Sequence, residues 1–504
     1  MPFRSILAWP SFAISIVAPD SGGGGNGPAR VGSTQLDLPA GRDVQPPLGG
    51  VRLTPSRRII ETTMASAPKA GSAPASLGRD WVTRAAAQAS ASLQRGGVDV
   101  ARLRRVGFQS AARDAQVLAR HNRRYTIELP FGGIEDQENS GNCWLFAPLV
   151  LARAAALQSG AVEAGESFSE THLYFVSLVE TASATLDDVR RIVGRERSLD
   201  SDTLRHQLSQ EVMGLDDGGE WEWAFGLVEK YGLVPARGMR ETASSKDTKA
   251  MRVDLHERFA RAARAIRARP GAYRRIREQA LRDVVRILVA HLGAPPRHVT
   301  HGRRALTPTE YAQHVGFRAA DWRVVISNPL LPFRRVYEQR RSALTRDRGR
   351  SNLRRLNVPQ RRLRALVRAS LERGFAVGFS ADIDRNDIDH TRGIMHPGIF
   401  DRGRVYGSRL IRDLPRREDI YLGVATSKHA MAIAGIDLPR RGGAVKYRVV
   451  NSWGRELGDH GIYHMYAEWF EENVFKLAVH ESVLDAREQA AYDDPQALPG
   501  GRFY

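Results

Sequence analysis

The chain has 504 residues, 42% of them hydrophobic, a formal net charge of +19 and a single cysteine. That length suits two or three globular domains or one elaborated one, and one cysteine excludes an internal disulfide and a cysteine zinc site. The charge suggests nucleic acid or a membrane surface, yet only seven of the 75 basic residues are lysine and arginines run through nearly every segment, the mark of a coding bias rather than a patch.

The first twenty residues, MPFRSILAWPSFAISIVAPD, carry an early arginine and an apolar run that Pro10 breaks, with Pro19 directly after Ala18. This weighs against a signal peptide. No window reaches the roughly 20 apolar residues that cross a bilayer, so a soluble, cytoplasmic protein without a membrane partner is expected. Residues 1–80, rich in Gly, Pro and Ala, cannot bury enough surface to offset their ordering entropy and are expected to be disordered. A helical arm follows over 81–130, with helices at DWVTRAAAQASASLQ and FQSAARDAQVLARHNR, and YTIELP reads as a strand.

Next comes QENSGNCWLFAPLVLAR, residues 137–153. Leu145, Phe146, Leu149, Val150 and Leu157 fall on one helical face, and Asn139 to Asn142 favour turns and caps, so Cys143 sits in the first turn of a helix. The positive end of the helix dipole there favours thiolate, the form that attacks. A small buried hydrophobe is the commonest fate of a free cysteine, and on this stretch alone both readings stand.

The Arg-rich segments 258–292 and 361–374 have apolar residues at helical spacing between the arginines, which predicts solvated helix faces. Aromatic residues that could stack on bases do not interleave. Nucleic acid is therefore the lesser alternative as a partner. Further on, SKHAMAIAGIDL places His429 at the head of a predicted strand, and KYRVVNSWG places Asn451 at the end of a second. Antiparallel pairing of the two puts imidazole and amide side by side, the base and orienting group a thiolate nucleophile needs.

Gln137 six residues before Cys143, the Cys-Trp pair opening a helix, His429 before a small apolar run, and NSWG from Asn451 together resemble papain-like cysteine peptidases in their order of Gln, Cys, His, Asn. FSETHLYF (168–175) and DDGGEWEWAFGLVEKYGLVP (216–235) resemble that family's Ser-Glu and Gly-Gly segments. His429 lies 286 residues beyond Cys143, about twice the usual papain separation of roughly 130–150. RETASSKDTKAMRVDLHERF (240–259), HAMAIAG, RVVNSWG and AEWFEENVFKLAV resemble the bleomycin hydrolase and bacterial aminopeptidase C group.

The resemblance implies an α+β, papain-like two-subdomain fold. Its helical part with the nucleophile spans 131–235, a helical Arg-rich insertion 236–374, a β part with His and Asn 375–485, and a C-terminal arm 486–504. It implies a cysteine aminopeptidase acting on peptides with a free N-terminus, without cofactor or metal. Cys143 is the implied nucleophile, His429 its acid and base, and Asn451 the orienting group. Gln137 is the implied oxyanion donor, and Trp453 shields the His–Asn contact. Gly218 and Gly219 are implied to let substrate backbone approach, which a Cβ hinders. Family members assemble as hexamers and thread a C-terminal arm into the cleft, which makes Tyr504 an implied substrate contact and its carboxylate a partner for the substrate's amino group. Two features depart from the pattern: the group usually has Ser-Ser-Gly-Arg before Cys-Trp, where this chain has Asn139 to Asn142, and the tail ends in bulky residues. The alternatives are a papain-like endopeptidase with an unfilled cleft and a basic oligomeric nucleic-acid-binding protein with vestigial catalytic residues.

Overall fold

Cys143 opens a helix that is buried on nearly every side, and the rest of the fold is arranged around it. In a computed structural model of the chain the described residues are 77–195, 201–213, 217–340, 352–385, 387–407, 414–439, 443–499 and 503. The expected disorder of residues 1–80 falls almost wholly outside them. The chain divides after Ala86. Of the first unit, residues 77–86 are described and open α1 (Arg79–Arg95).

The second unit continues with α2 (Val100–Ala112), α3 (Ala115–Arg120) and β1 (Ile127–Glu128). The helix expected through FQSAARDAQVLARHNR is two helices. Arg113 is extended, with φ −56° and ψ 127°, and the Asp114 carboxylate accepts from the backbone N–H groups of Gln116 and Val117, capping a new start. Then follow α4 (Cys143–Gln158), α5 (Glu170–Gly194), α6 (Ser201–Met213) and α7 (Trp221–Tyr231). Thirteen of the sixteen residues of α4 are buried, so it is a central helix and has no polar face. The single apolar face read from sequence was too narrow.

Between residues 236 and 374 the chain forms α8 (Ala243–Lys246), α9 (Lys249–Ala268) and α10 (Tyr273–Leu292). The short hairpin of β2 (Val299–His301) and β3 (Arg304–Leu306) and helix α11 (Pro308–His314) come next. α9 buries Met251, Leu255, Phe259, Ala262, Ala263 and Ile266 and exposes Arg261, Arg264 and Arg267, as the helical spacing predicted, while Arg252 and Arg258 are half-buried. The region is not helical throughout. β4 (Trp322–Ile326), β5 (Arg335–Arg340) and β6 (Asn352–Asn357) precede α12 (Gln360–Glu372), and all three strands join the main sheet.

The sheet is completed by β7 (Val377–Ala381), β8 (Ile388–Asp389), β9 (Ile394–Met395), β10 (His429–Asp437), β11 (Lys446–Val450), β12 (Ile462–Tyr466), β13 (Val474–His480) and β14 (Gln496–Ala497). Its twelve strands run β14-β5-β6-β4-β13-β7-β10-β11-β12-β9-β8, with β1 paired to β10. β10 is antiparallel to β11, with Ala432 opposite Val450, and to β7, with His429 opposite Ala381. Helices α4, α5, α7, α9 and α10 share one apolar core that reaches the sheet through Ala430, Ala432 and Val450. The architecture is α+β, with the nucleophile's helix laid against the strands that carry His429 and Asn451.

Candidate active site

Cys143 is the first residue of α4, as its flanking turn residues predicted. Asn142 caps the helix without a side-chain bond to it, because its Nδ2 donates to Glu170 Oε1 at 2.6 Å. The position where the resembled group has arginine thus carries a neutral amide facing a buried carboxyl. Burial, with Glu241 and Asp217 nearby, pushes that carboxyl well above the usual range.

Asp217 fixes the loop before the nucleophile. Its carboxylate accepts from the Gly141 N–H at 3.3 Å, the Tyr174 hydroxyl at 2.7 Å and the Thr248 hydroxyl at 2.5 Å, while its carbonyl accepts from Trp144 Nε1 at 2.6 Å. A Cβ on Gly141 would meet Asp217 Cβ at 2.6 Å, so only glycine fits there. Sequence reasoning quoted DDGG but singled out only its glycines. The signal for Asp217 was its place beside them.

His429 heads β10 and Asn451 follows β11, so the antiparallel register brings them together as expected. His429 Nε2 donates to Asn451 Oδ1 at 2.8 Å, and the Ser452 N–H donates to the same oxygen at 2.8 Å. The second bond fixes the amide's orientation and thereby the tautomer, leaving Nδ1 of His429 as an unprotonated acceptor. Trp453 stacks on the imidazole with ring centroids 4.6 Å apart and planes at 21°, covering the His–Asn contact.

Gln137 is buried and tied to the same strand end. The Gln137 N–H donates to the Ser452 carbonyl at 2.9 Å, the Ser452 hydroxyl donates to Gln137 Oε1 at 2.7 Å, and Gln137 Nε2 donates to the Ser140 carbonyl at 2.7 Å. With Oε1 occupied as acceptor, the amide presents its NH2 group toward the nucleophile's loop and keeps one proton for another acceptor. Ser452 was not singled out in advance, though it stands inside NSWG.

Cys143 Sγ donates weakly to the Gly141 carbonyl at 4.0 Å and faces the backbone N–H groups of Ala430, Trp144 and its own residue. Ala430 is the residue after His429, so sulfur and imidazole belong to one constellation, although no hydrogen bond joins them among the described residues. Burial pushes the thiol up to about 11 despite those N–H groups. Burial also lowers His429 to about 4, against the bond to Asn451. Burial of Cys143 thus works against the thiolate that the helix start favours, and burial of His429 works against its imidazolium.

The two glycines differ. A Cβ on Gly219 would lie 2.2 Å from the Trp144 indole, so its glycine is dictated by packing beside the nucleophile. Gly218 is exposed with open space around it. Tyr504 lies outside the described residues, but Phe503 is buried, with its carbonyl accepting from Asn328 Nδ2 at 2.5 Å and its ring 4.5 Å from the Arg355 guanidinium. Arg355 and Lys476 both pair with Glu220, at 2.8 and 2.6 Å, directly after Gly219.

A cavity of about 570 Å³ opens beside the Gln137 loop, lined by Glu135, Asp136, Phe146, Glu170, Arg240 and Glu241 among others, and none of Gln137, Cys143, His429 or Asn451 lines it. Among the described residues no group of His, Cys, Asp and Glu is placed to hold a metal, and no helix is long and apolar enough to cross a membrane.

Residues 82–500 match the Peptidase C1-like family. The chain is 27% identical to "Aminopeptidase C" of Streptococcus thermophilus over 394 residues, 74% of this chain and 86% of the relative. It is 28% identical to "Aminopeptidase W" of Lactobacillus delbrueckii subsp. lactis over 400 residues, 76% and 89% of the two chains. The crystal structure of PepW from Lactobacillus rhamnosis HN001 superposes with a TM-score of 0.74 at 23% identity, covering 84% of this chain and 97% of that one, a likeness that shows the fold.

Proposed function

The chain belongs to the Peptidase C1-like family, and on that premise we propose that it is a cysteine aminopeptidase, hydrolysing peptide and related amide bonds next to a free N-terminus. The observation that carries the reading is the joint placement of an oriented His429–Asn451 pair, a nucleophile at the start of α4, and a Gln137 amide tied to Ser452. The names of the curated relatives support the exopeptidase class.

In this reading Cys143 Sγ attacks the scissile carbonyl carbon. The sulfur's proton is taken by His429 Nδ1, the ring nitrogen left as acceptor, and the S–C bond forms. Asn451 Oδ1 holds the Nε2–H and so keeps Nδ1 aimed, and it steadies the imidazolium once formed. The oxyanion is received by the remaining proton of Gln137 Nε2 and by the Cys143 N–H, donors already in place before the charge develops. Collapse expels the amine, which takes its proton from His429. Water then attacks the thioester carbonyl, giving its proton to the same nitrogen, and the released thiolate recovers one. Gly218 presents backbone to the substrate without side-chain obstruction, and Trp453 keeps water from the His–Asn bond. The same likeness supports a cytoplasmic homo-oligomer, hexameric as in the group the sequence resembles.

The test uses a fluorogenic aminoacyl amide and its N-acetylated counterpart, with Cys143→Ala alongside. Cleavage of the free-amine substrate alone, falling about a thousandfold or more in the variant, is the expected result. Equal cleavage of both makes the enzyme an endopeptidase. Cleavage of neither, with salt-dependent retention on nucleic acid, favours a binding protein.

A further inference from the structure

The cavity beside the Gln137 loop is lined on its inner side by a carboxyl. Glu170 opens α5 and is only 3% exposed, yet it borders this space of about 570 Å³. Its Oε1 accepts from Asn142 Nδ2 at 2.6 Å and its Oε2 from the Thr171 hydroxyl at 3.4 Å, both neutral donors. The other end of that amide is unanswered: Asn142 Oδ1 is buried and has no donor among the described residues. Both amide atoms hang on one carbon, so this oxygen lies within a side chain's width of the Glu170 carboxyl. Two buried acceptors thus stand side by side, one of them facing the cavity.

Burial and the like charges of Glu241, Asp217 and Glu135 push the Glu170 carboxyl up. Those three neighbours have cations of their own: Lys246 stands 3.6 Å from Glu241, Arg252 3.5 Å from Asp217 and Arg153 2.7 Å from Glu135. On the rim, Arg237 is bound to Glu166 at 2.7 Å and Lys246 also to Glu138 at 2.8 Å, while Arg240 is exposed. Among the described residues no cation pairs with Glu170. A group that suits this place carries positive charge for the carboxyl and a further N–H for the amide oxygen. A guanidinium has both in one plane, two N–H groups for the carboxylate and others to spare.

We propose that this cavity binds a small guanidinium compound, with Glu170 as its counter-ion and Asn142 Oδ1 as a second acceptor. Gln137, Cys143, His429 and Asn451 do not line it, so the site is separate from the peptide cleft. Asn142, the cap of α4, connects it to the nucleophile. Binding here does not depend on turnover.

Calorimetry with methylguanidinium on the full chain, at matched ionic strength, tests the site. Saturable binding with a Kd of about a millimolar is expected, weakened about tenfold or more in Glu170→Gln, which keeps the side chain's size and an acceptor for Asn142. Because the ligand takes the place of the carboxyl's proton and itself stays charged, affinity rises with pH, by about tenfold per unit at most, and Glu170→Gln loses that slope. Cys143→Ala and Arg240→Ala spare both acceptors and keep the affinity. Asn142→Arg supplies a guanidinium from the chain itself and abolishes binding of the free one. Should Glu170→Gln not fold, the wild-type pH slope and Asn142→Arg decide. The site is overturned by a lack of saturable binding, by equal affinity in Glu170→Gln, or by a wild-type affinity flat with pH. Equal affinity for tetramethylammonium, which has the charge without the N–H groups, overturns the guanidinium class. A loss of binding in Cys143→Ala places the ligand in the peptide cleft instead.

Discussion

Helices α4 and α10 carry arginine in opposite ways. In α4, Arg153 is 2% exposed, and its guanidinium donates to Glu135 Oε1 at 2.7 Å, to the Gly133 carbonyl at 2.7 Å and to the Phe131 carbonyl. In α10, Arg274, Arg275, Arg282 and Arg286 are exposed, while Tyr273, Ala280, Val284, Leu288 and Leu292 form the buried stripe. The exposed arginines of α10 are a solvent coat on an amphipathic helix. Arg153, inside α4, braces the segment that leads to Gln137 and the nucleophile.

Breaking the inner case has the largest expected effect. Arg153→Met strands the Glu135 carboxylate and two carbonyls, and should cost about 3–5 kcal/mol, read from urea unfolding midpoints. A loss near zero would mean that Arg153 is no brace.

The buried side of the contrast is sharpened next by pH. Burial lowers His429 and His172 to about 4, so the folded protein takes up fewer protons than the unfolded chain below pH 6.5. Their contribution is present above pH 6.5 and lost as pH falls toward 4, on the order of 3 kcal/mol for each. Stability that stays flat from pH 7 to pH 4 argues against neutral burial of these rings.

The smallest effect belongs to the outer helix. Arg275→Ala should shift stability by no more than about 0.5 kcal/mol, measured by the same urea titration. A loss above 2 kcal/mol would show that the coat is structural after all.

The site was legible wherever local pattern and function coincide. Turn residues before Cys143 marked a helix start, and alternating apolar residues after His429 and before Asn451 marked two strands whose pairing followed. What escaped was set by tertiary contact. Asp217 gains its role only because α5, the loop before Cys143 and the start of α9 converge on it. The thiol's rise reflects burial, which a helix-start argument cannot register. β4 to β6 were hidden because short strands among arginines show the same density of charge as solvated helices. The split between α2 and α3 turned on a single capping carboxylate, Asp114.

The two flanks of the sheet have a bearing on what could pair with its edges. β14 and β8 are two residues each, and β14 covers the six-residue β5 by pairing parallel to Tyr337 and Glu338, with the Leu498 N–H reaching the Glu338 carbonyl at 3.1 Å. A strand that short offers too few free amides to recruit another chain, whereas a bare β5 would present a full row of them. β14 therefore also acts as a hem on the fabric, covering part of an edge by which the sheet could be extended.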